Sequence, residues 1–173
     1  PDLVERCYVV HITGSAAIDD AEALRASLSP ERQDRYRPYA FLHEDMDAAL
    51  VAADLLVGRA GSSTLAEAAA AGLPMIVVPY PHAAAHQKAN AAEMVEAGAA
   101  RLVADEDLDG DTLREACDLL FDERSARMSE AALSVARPGA AAASAQLLLT
   151  LAAHEPLPTQ DELDQLTRSS AAS

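Results

Sequence analysis

The sequence predicts an α/β fold in which helices cover both faces of a parallel β-sheet. Short apolar runs alternate with stretches typical of helices along residues 7–121, which is the pattern of consecutive βα units. Aromatic residues make up only 3% of the 173 residues and Trp is absent, so the core has to be aliphatic, which suits such a sheet. Right-handed crossovers between the strands then give a Rossmann-like arrangement.

Apolar runs and helix-like stretches place the individual elements. Strands are expected at 7–13, 39–42, 54–58, 75–79 and 100–104. Helices are expected near 21–28, 45–53, 63–71, 86–97, 110–121, 123–135 and 140–153, the last two being separated by a Pro-Gly pair. We therefore expect one domain over residues 1–153, followed by a disordered tail at 154–173, which is polar and contains Pro.

Charge and cysteine content exclude several function classes. The formal charge is −15, from 28 acidic and 13 basic residues, and no basic cluster is present, which argues against nucleic-acid binding and against a polybasic membrane patch within these residues. Cys7 and Cys117 have no Cys or His at metal-ligand spacing. They are expected to be buried free thiols of a cytosolic protein.

The segment GRAGSSTLAEAAAAGLP, at 58–74, follows a predicted strand and opens a helix. In such sheets ligands bind at the carboxyl ends of the strands. Gly58 and Gly61 allow a tight turn and close approach of a ligand to the backbone. The amides and partial positive charge at the helix start favour a phosphate or diphosphate. Three hydroxyl residues add donors there, namely Ser62, Ser63 and Thr64.

Glu67 has two interpretations on spacing alone. Thr64-Leu65-Ala66-Glu67 matches the capping box, in which the acid bonds back to the amide of the N-cap residue. Alternatively, its carboxylate accepts hydrogen bonds from the ribose hydroxyls of a nucleotide, because a carboxylate facing the diphosphate itself would be repelled.

A second polar cluster follows the next predicted strand. His86, Gln87 and Asn90 occupy neighbouring positions on one predicted helix. Amide and imidazole groups suit a ligand with many hydroxyls, such as a sugar. The alternative is an ordinary solvated helix start.

No metal or cofactor site is predicted. Asp105-x-Asp107-x-Asp109 imitates the start of an EF-hand loop, but the twelfth position is Ala116 instead of an acid. The run is expected to be a solvated connection leading into a helix.

The stretch GRAGSSTLAEAAAAGLPMIVVPYPHAAAHQKANAAEMVEAGAA, at 58–100, resembles the donor-binding half of the MurG glycosyltransferases. The resemblance extends over about residues 7–151. It implies one Rossmann-like half of a two-domain GT-B enzyme that transfers N-acetylglucosamine from UDP-N-acetylglucosamine to lipid I, undecaprenyl-diphospho-N-acetylmuramoyl-pentapeptide, in peptidoglycan synthesis.

The resemblance also implies roles for residues at the uridine end of the donor. Phe41 and Leu42 are similar to a pair that packs on uracil, and Met46 stands where a further uridine contact is expected. Glu67 is similar to an acid on the ribose hydroxyls, which favours its functional interpretation over the capping box.

At the other end of the donor, Arg59 and the turn from Gly61 to Thr64 resemble the family's diphosphate loop. His86 and Gln87 occupy a pair that contacts sugar hydroxyls, and Asn90 belongs to the same pattern. In some members the first of the pair is Gln, so His86 departs from that version of the pattern.

Parts of the family pattern are expected upstream of Cys7, including a GGS turn with its strand and the whole acceptor domain. That domain would supply the catalytic base, the contact with lipid I and the membrane contact, so no catalytic residue is expected in this chain, which alone should be inactive. The resemblance implies a cytoplasmic location, peripheral on the inner membrane. The alternatives are another GT-B enzyme, acting on a glycolipid or natural product, and a non-catalytic subunit of a split glycosyltransferase.

Overall fold

The computed structural model describes residues 2–81, 84–118 and 122–168, and these form parallel strands joined by helices, as the sequence predicts. In chain order the elements are β1 (Val9–Ile12), α1 (Ile18–Ser27), α2 (Pro30–Gln33), β2 (Tyr36–Tyr39), α3 (Met46–Ala52), β3 (Leu56–Gly58), α4 (Ser62–Ala70), β4 (Met75–Val77), α5 (Ala84–Glu96), β5 (Ala100–Leu102), α6 (Gly110–Cys117), α7 (Arg124–Val135), α8 (Ala140–Ala152) and α9 (Gln160–Arg168). Short 3-10 helices occur at Asp2–Glu5 and Asp105–Asp107.

The chain divides into two compact units. The first comprises Pro1–Ala53 and Asp109–Asp118, and the second comprises Asp54–Leu108 and Leu119–Ser173. The sequence predicts one domain over residues 1–153, and the structure distributes these residues between both units.

The first unit contains a two-stranded parallel sheet. Val9 of β1 stands opposite Tyr36 of β2, and Ile12 stands opposite Tyr39. The guanidinium Nε of Arg25 in α1 donates to the carbonyl oxygen of Tyr36 at 3.0 Å, which ties α1 to β2. The strand expected at 39–42 is observed three residues earlier, as β2. Backbone pairing with β1 sets the ends of the strand, whereas the apolar run in the sequence extends past the last paired residue, Tyr39.

The second unit contains a three-stranded parallel sheet in the order β3-β4-β5. Met75, Ile76 and Val77 of the central strand are at most 1% exposed. Parallel strands covered on both faces are continuously apolar, which explains why this strand is evident in the sequence. Gly72, with φ of +65°, ends α4, and a Cβ there would lie 3.0 Å from Cγ of Leu133 in α7.

The structure differs from the expectation of a single sheet, because the strands of the described residues pair into two sheets. Apolar patterning marks where strands occur along the chain. It does not specify which strand pairs with which, since pairing is a matter of backbone hydrogen bonds between distant segments.

The segment expected to be a disordered tail contains α9. Thr159 precedes this helix, and Glu162 Oε2 accepts hydrogen bonds from the Thr159 backbone amide and hydroxyl, each at 2.8 Å. This is a capping box, and it is readable in the sequence as Thr-x-x-Glu. α9 contacts α8, and the amide of Gly139 donates to the carbonyl of Thr167 at 2.9 Å.

The remaining predicted helices and strands occur within three residues of their expected bounds, apart from the end of the helix predicted at 110–121. α6 ends at Cys117, and residues 119–121 lie outside the described residues. Both cysteines are free thiols, Cys117 buried and Cys7 half-buried. Burial raises the pKa of the Cys117 thiol. Within the described ranges, the helices are too short or too polar to cross a membrane.

Candidate functional site

The loop after β3 leads into a helix whose start has no side-chain cap. α4 is nine residues long and its N-cap is Gly61, with φ of −70° and ψ of 134°. The first-turn amides of an α-helix have no partner inside the helix. In α4 these are the amides of Ser62, Ser63 and Thr64. Together with the positive end of the helix dipole they can bind an anion, and the diphosphate loop stays a prediction.

Three hydrogen bonds hold this loop in place. The amide of Val78 donates to the carbonyl of Gly58 at 2.8 Å, and the amide of Leu65 donates to the carbonyl of Gly61 at 3.0 Å. Asn90 Nδ2 in α5 donates to the carbonyl of Ala60 at 3.1 Å. Ala60 is fully buried. The loop is thus positioned by the protein before any ligand arrives.

The glycines of the loop are not required by a left-handed turn, whereas the close approach of a ligand to the backbone stays a prediction. Gly61 has negative φ, so no tight left-handed turn requires it. A Cβ on Gly61 would meet only Thr64 Oγ1, at 3.8 Å, and one on Gly58 would meet nothing within 4 Å. The fold itself therefore tolerates side chains here, and the open space over Gly61 is available to a ligand.

Glu67 does not form the capping box that its spacing allows. The helix begins at Ser62, so Thr64 is already inside it and Glu67 lies in the second turn. The Glu67 side chain is exposed and makes no hydrogen bond or ion pair with the described residues. At 1.5 Å per residue, its Cα lies about 7.5 Å along the axis from that of Ser62. Its carboxylate is therefore available to a ligand group beyond the anion at the helix start.

Arg59 reaches across the carboxyl edge of the sheet. Its Nη1 donates to the carbonyl of Val78, which follows β4, at 3.3 Å, and also forms an ion pair with Asp105, which lies beyond β5. The guanidinium lies over the ring of Tyr80, 5.4 Å from the centroid. The cation predicted for the diphosphate loop is therefore held by three groups of the protein.

The polar cluster on α5 is more than a solvated helix start. Gln87 Oε1 accepts a hydrogen bond from the Tyr80 amide at 2.8 Å, and Asn90 holds Ala60 as described above. The two side chains thus connect α5 to the loops after β4 and β3. Gln87 keeps its Nε2 donors and Asn90 its Oδ1 acceptor for other partners. His86 is exposed beside them.

The predicted uridine contacts lie in the first unit, whereas the other predicted site residues lie in the second. Phe41 follows β2, is 56% exposed and stacks on His43 with ring centroids 5.8 Å apart. Leu42 and Met46, the first residue of α3, are half-buried. An exposed aromatic ring and two apolar neighbours at the carboxyl end of a strand form a surface on which a base can pack.

The acidic run at 105–109 has two structural roles. Asp105 pairs with Arg59, and Asp109 caps α6 by accepting a hydrogen bond from the Thr112 amide at 2.8 Å. That hydrogen bond, followed by one from the Thr112 hydroxyl, holds the pKa of Asp109 below its usual value. No group of three or more metal-ligating side chains occurs among the described residues.

Sequence reasoning does not assign Tyr80 or Asp105 to the site. Both follow strands of the three-stranded sheet closely, Tyr80 after β4 and Asp105 after β5. The rule that ligand groups gather at the carboxyl ends of parallel strands points to such positions, although it does not say which of them contact Arg59.

Comparison with known proteins identifies curated relatives of this chain. A curated protein of Corynebacterium diphtheriae is 49% identical over 87 residues, 50% of this chain and 24% of the relative. One of Exiguobacterium sibiricum is 36% identical over 153 residues, 87% of this chain and 40% of the relative. Both are named UDP-N-acetylglucosamine–N-acetylmuramyl-(pentapeptide) pyrophosphoryl-undecaprenol N-acetylglucosamine transferase. The chain spans less than half the length of these relatives.

A solved structure and a family model point to the same family as these relatives. The crystal structure of Acinetobacter baumannii MurG matches with a TM-score of 0.64 and 26% identity, covering 92% of this chain and 42% of that one. The model of the glycosyltransferase family 28 C-terminal domain matches residues 1–147. The chain therefore belongs to glycosyltransferase family 28, and residues 1–147 match the C-terminal domain of that family.

Proposed function

We propose that this chain binds UDP-N-acetylglucosamine and forms the donor half of an enzyme that transfers N-acetylglucosamine to lipid I. The observation that carries the proposal is the start of α4, whose N-cap is a glycine, with Arg59 before it and Glu67 one turn further on, where no described residue pairs with its carboxylate. The names of the relatives, which specify this donor and this acceptor, support the same substrates.

The nucleotide end of the donor is assigned from the positions of the available groups. The amides from Ser62 to Thr64 bind the diphosphate, and Glu67 accepts hydrogen bonds from the ribose hydroxyls. A carboxylate about 7.5 Å along the helix from its first residue faces the neighbouring sugar without lying against the phosphates. In the first unit, taken by itself, the surface at Phe41, Leu42 and Met46 is assigned to the base.

The sugar end of the donor is assigned to the α5 cluster. The free amide donors of Gln87, the free acceptor of Asn90 and the ring of exposed His86 offer donors and acceptors together, as a ligand with many hydroxyls requires. Because Gln87 and Asn90 also hold the two loops, the sugar and diphosphate subsites are mechanically connected.

In the reaction, an oxygen of the acceptor hydroxyl bonds to the anomeric carbon while the bond from that carbon to the diphosphate oxygen breaks. UDP leaves with the electron pair, and the hydroxyl proton passes to a base outside this chain. The amides at the start of α4 and the Arg59 guanidinium stabilise the charge that develops on the leaving diphosphate. This chain contributes positioning and charge stabilisation and, by itself, transfers no sugar.

The remaining parts of the proposal concern the whole protein. A second domain holds lipid I and supplies the base, and the complete enzyme is peripheral on the cytoplasmic face of the bacterial inner membrane. The lipid-linked acceptor in the names of the relatives supports this location.

Titration calorimetry with UDP-N-acetylglucosamine tests the proposal. Glu67→Gln keeps the shape of the side chain but removes its charge and one of its two acceptor oxygens. One hydrogen bond from the ribose to a charged group is then lost, which weakens binding roughly ten- to hundredfold. Glu93→Gln is the matched control, since Glu93 is also an exposed helical acid without a partner in the described residues. Equal affinities of the wild type and the Glu67 variant would remove the ribose contact from the proposal.

A further inference from the structure

Arg59 carries the positive charge that the proposed function needs at the diphosphate. The guanidinium of Arg59 is, however, already paired with the Asp105 carboxylate of the same unit. Nη1 of Arg59 forms an ion pair with Asp105 and donates to the carbonyl of Val78 at 3.3 Å. The Tyr80 ring lies against the guanidinium, 5.4 Å from centroid to Cζ. All three groups belong to segments that follow β4 and β5, although Arg59 itself follows β3.

This placement displaces the guanidinium along the sheet edge. Neighbouring strands lie about 4.8 Å apart, so β5 stands about 10 Å from β3 in the order β3-β4-β5. The side chain of Arg59 extends toward β5, whereas α4 begins directly after the loop that leaves β3. The ion pair therefore holds the guanidinium on the side of β4 and β5, whereas the diphosphate is proposed to bind at the helix start that follows β3.

We propose that Asp105 is an internal competitor for Arg59, which its carboxylate occupies until a nucleoside diphosphate replaces it. The inference rests on the proposed function, because it takes the diphosphate to bind beside Arg59. It adds a residue that lowers donor affinity and recaptures the guanidinium when the diphosphate leaves.

The exposure of the pair makes such an exchange possible. The side chains of Arg59 and Asp105 are 47% and 33% exposed, so water already screens their attraction, and exposed ion pairs contribute little net stability. A diphosphate carries more negative charge than a carboxylate and can accept two parallel hydrogen bonds from a guanidinium. The Tyr80 ring can stay in contact with the guanidinium during the exchange, since stacking does not occupy its N–H groups.

The test is the affinity for UDP of four variants, measured by titration calorimetry. Asp105→Asn removes the competing charge and is expected to tighten binding about two- to fivefold, as the release of an exposed ion pair predicts. Asp107→Asn is the matched control, because Asp107 lies in the same 3-10 helix, loses the same charge and has no side-chain partner among the described residues. It is expected to leave the affinity unchanged.

Arg59→Gln and the double variant with Asp105→Asn complete the cycle. Arg59→Gln is expected to weaken UDP binding, and Asp105→Asn is expected to have no effect once Arg59 is absent. An equal gain in both backgrounds would mean general repulsion by Asp105 and would overturn the inference. Weaker or unchanged binding by Asp105→Asn alone would overturn it too.

The outcomes separate the inference from the proposed function. If UDP binds the wild type, Arg59→Gln weakens it and Asp105→Asn changes nothing, the competitor role is wrong and the diphosphate site stands. If UDP at millimolar concentration binds neither the wild type nor any variant, the proposed function of this chain and the inference both fail.

Discussion

Two segments of the second unit share the pattern Thr-x-x-Glu and use it in opposite ways. At Thr159–Glu162 the acid bonds back to Thr159 and closes the start of α9. At Thr64–Glu67 the helix has already begun at Ser62, so both side chains point out of a helix whose N-cap is Gly61. One helix start is capped by its own sequence, and the other keeps its amides and its acid available.

The difference shows that a local pattern becomes a cap only where the preceding chain leaves the Thr as the last residue before the helix begins. Before Thr159 stands Pro158, which cannot continue a hydrogen-bonded turn. Before Thr64 stand Gly61, Ser62 and Ser63, which allow the helix to start earlier. An uncapped start is less stable, and a binding site is a reason to retain one.

The largest expected effect comes from closing the open helix start with Gly61→Asp. Gly61 has the extended φ and ψ of an N-cap residue, and there is room for a Cβ. The new carboxylate would accept hydrogen bonds from the first-turn amides and repel the diphosphate. We expect UDP binding to weaken by roughly tenfold or more, measured by calorimetry, while the melting temperature stays equal or rises.

Gly61→Ala is the control for this change, because it adds a Cβ without a capping group. A Gly61→Asp variant that binds UDP as tightly as the alanine variant would contradict the assignment of these amides to the diphosphate.

A smaller effect is expected from opening the closed helix start with Thr159→Ala. Losing an N-cap side chain costs about 1 kcal/mol, and the loss should appear as faster amide hydrogen exchange in α9. Thr64→Ala, made in parallel, should leave exchange in α4 unchanged, because Thr64 lies inside α4 and not at its N-cap position. Similar acceleration in both helices would mean that the two starts do not differ as described.

The smallest effect is a pH dependence confined to the capped segment. The backbone amide of Thr159, followed by its hydroxyl, lowers the pKa of Glu162 below its ordinary value of 4.5. A carboxyl whose pKa is lower in the folded state stabilises that state above its ordinary pKa, and this contribution disappears as the pH falls through the lowered value. The protection factors of the α9 amides, which are exchange rates corrected for the intrinsic pH dependence of exchange, should therefore fall on acidification below about pH 4.5.

Glu162→Gln should abolish this dependence, since an amide does not titrate in this range. Acid-induced opening of α9 that is identical in the wild type and the Gln variant would show that other groups are responsible.

The alternation of strands and helices is predictable because it depends on side chains close together in the chain. The buried strand Met75–Val77 and the loop into α4 are examples, since apolar runs and glycines mark them directly. The helix α9 was equally readable from its capping box. The polar composition of residues 154–173 nevertheless favoured a disordered tail, since a helix this short is not stable alone. Packing against α8 stabilises it, and that contact is not visible in the sequence.

By itself the sequence determined the order of strands and helices, the glycine- and serine-containing loop between β3 and α4, and the family to which these motifs belong. Only the tertiary structure decided which strands pair, that Asn90 and Gln87 hold the loops, and that Arg59 meets a carboxylate 46 residues further along the chain. The reason is physical: local patterns act over a few residues, whereas an ion pair between distant segments exists only where folding brings their backbones together.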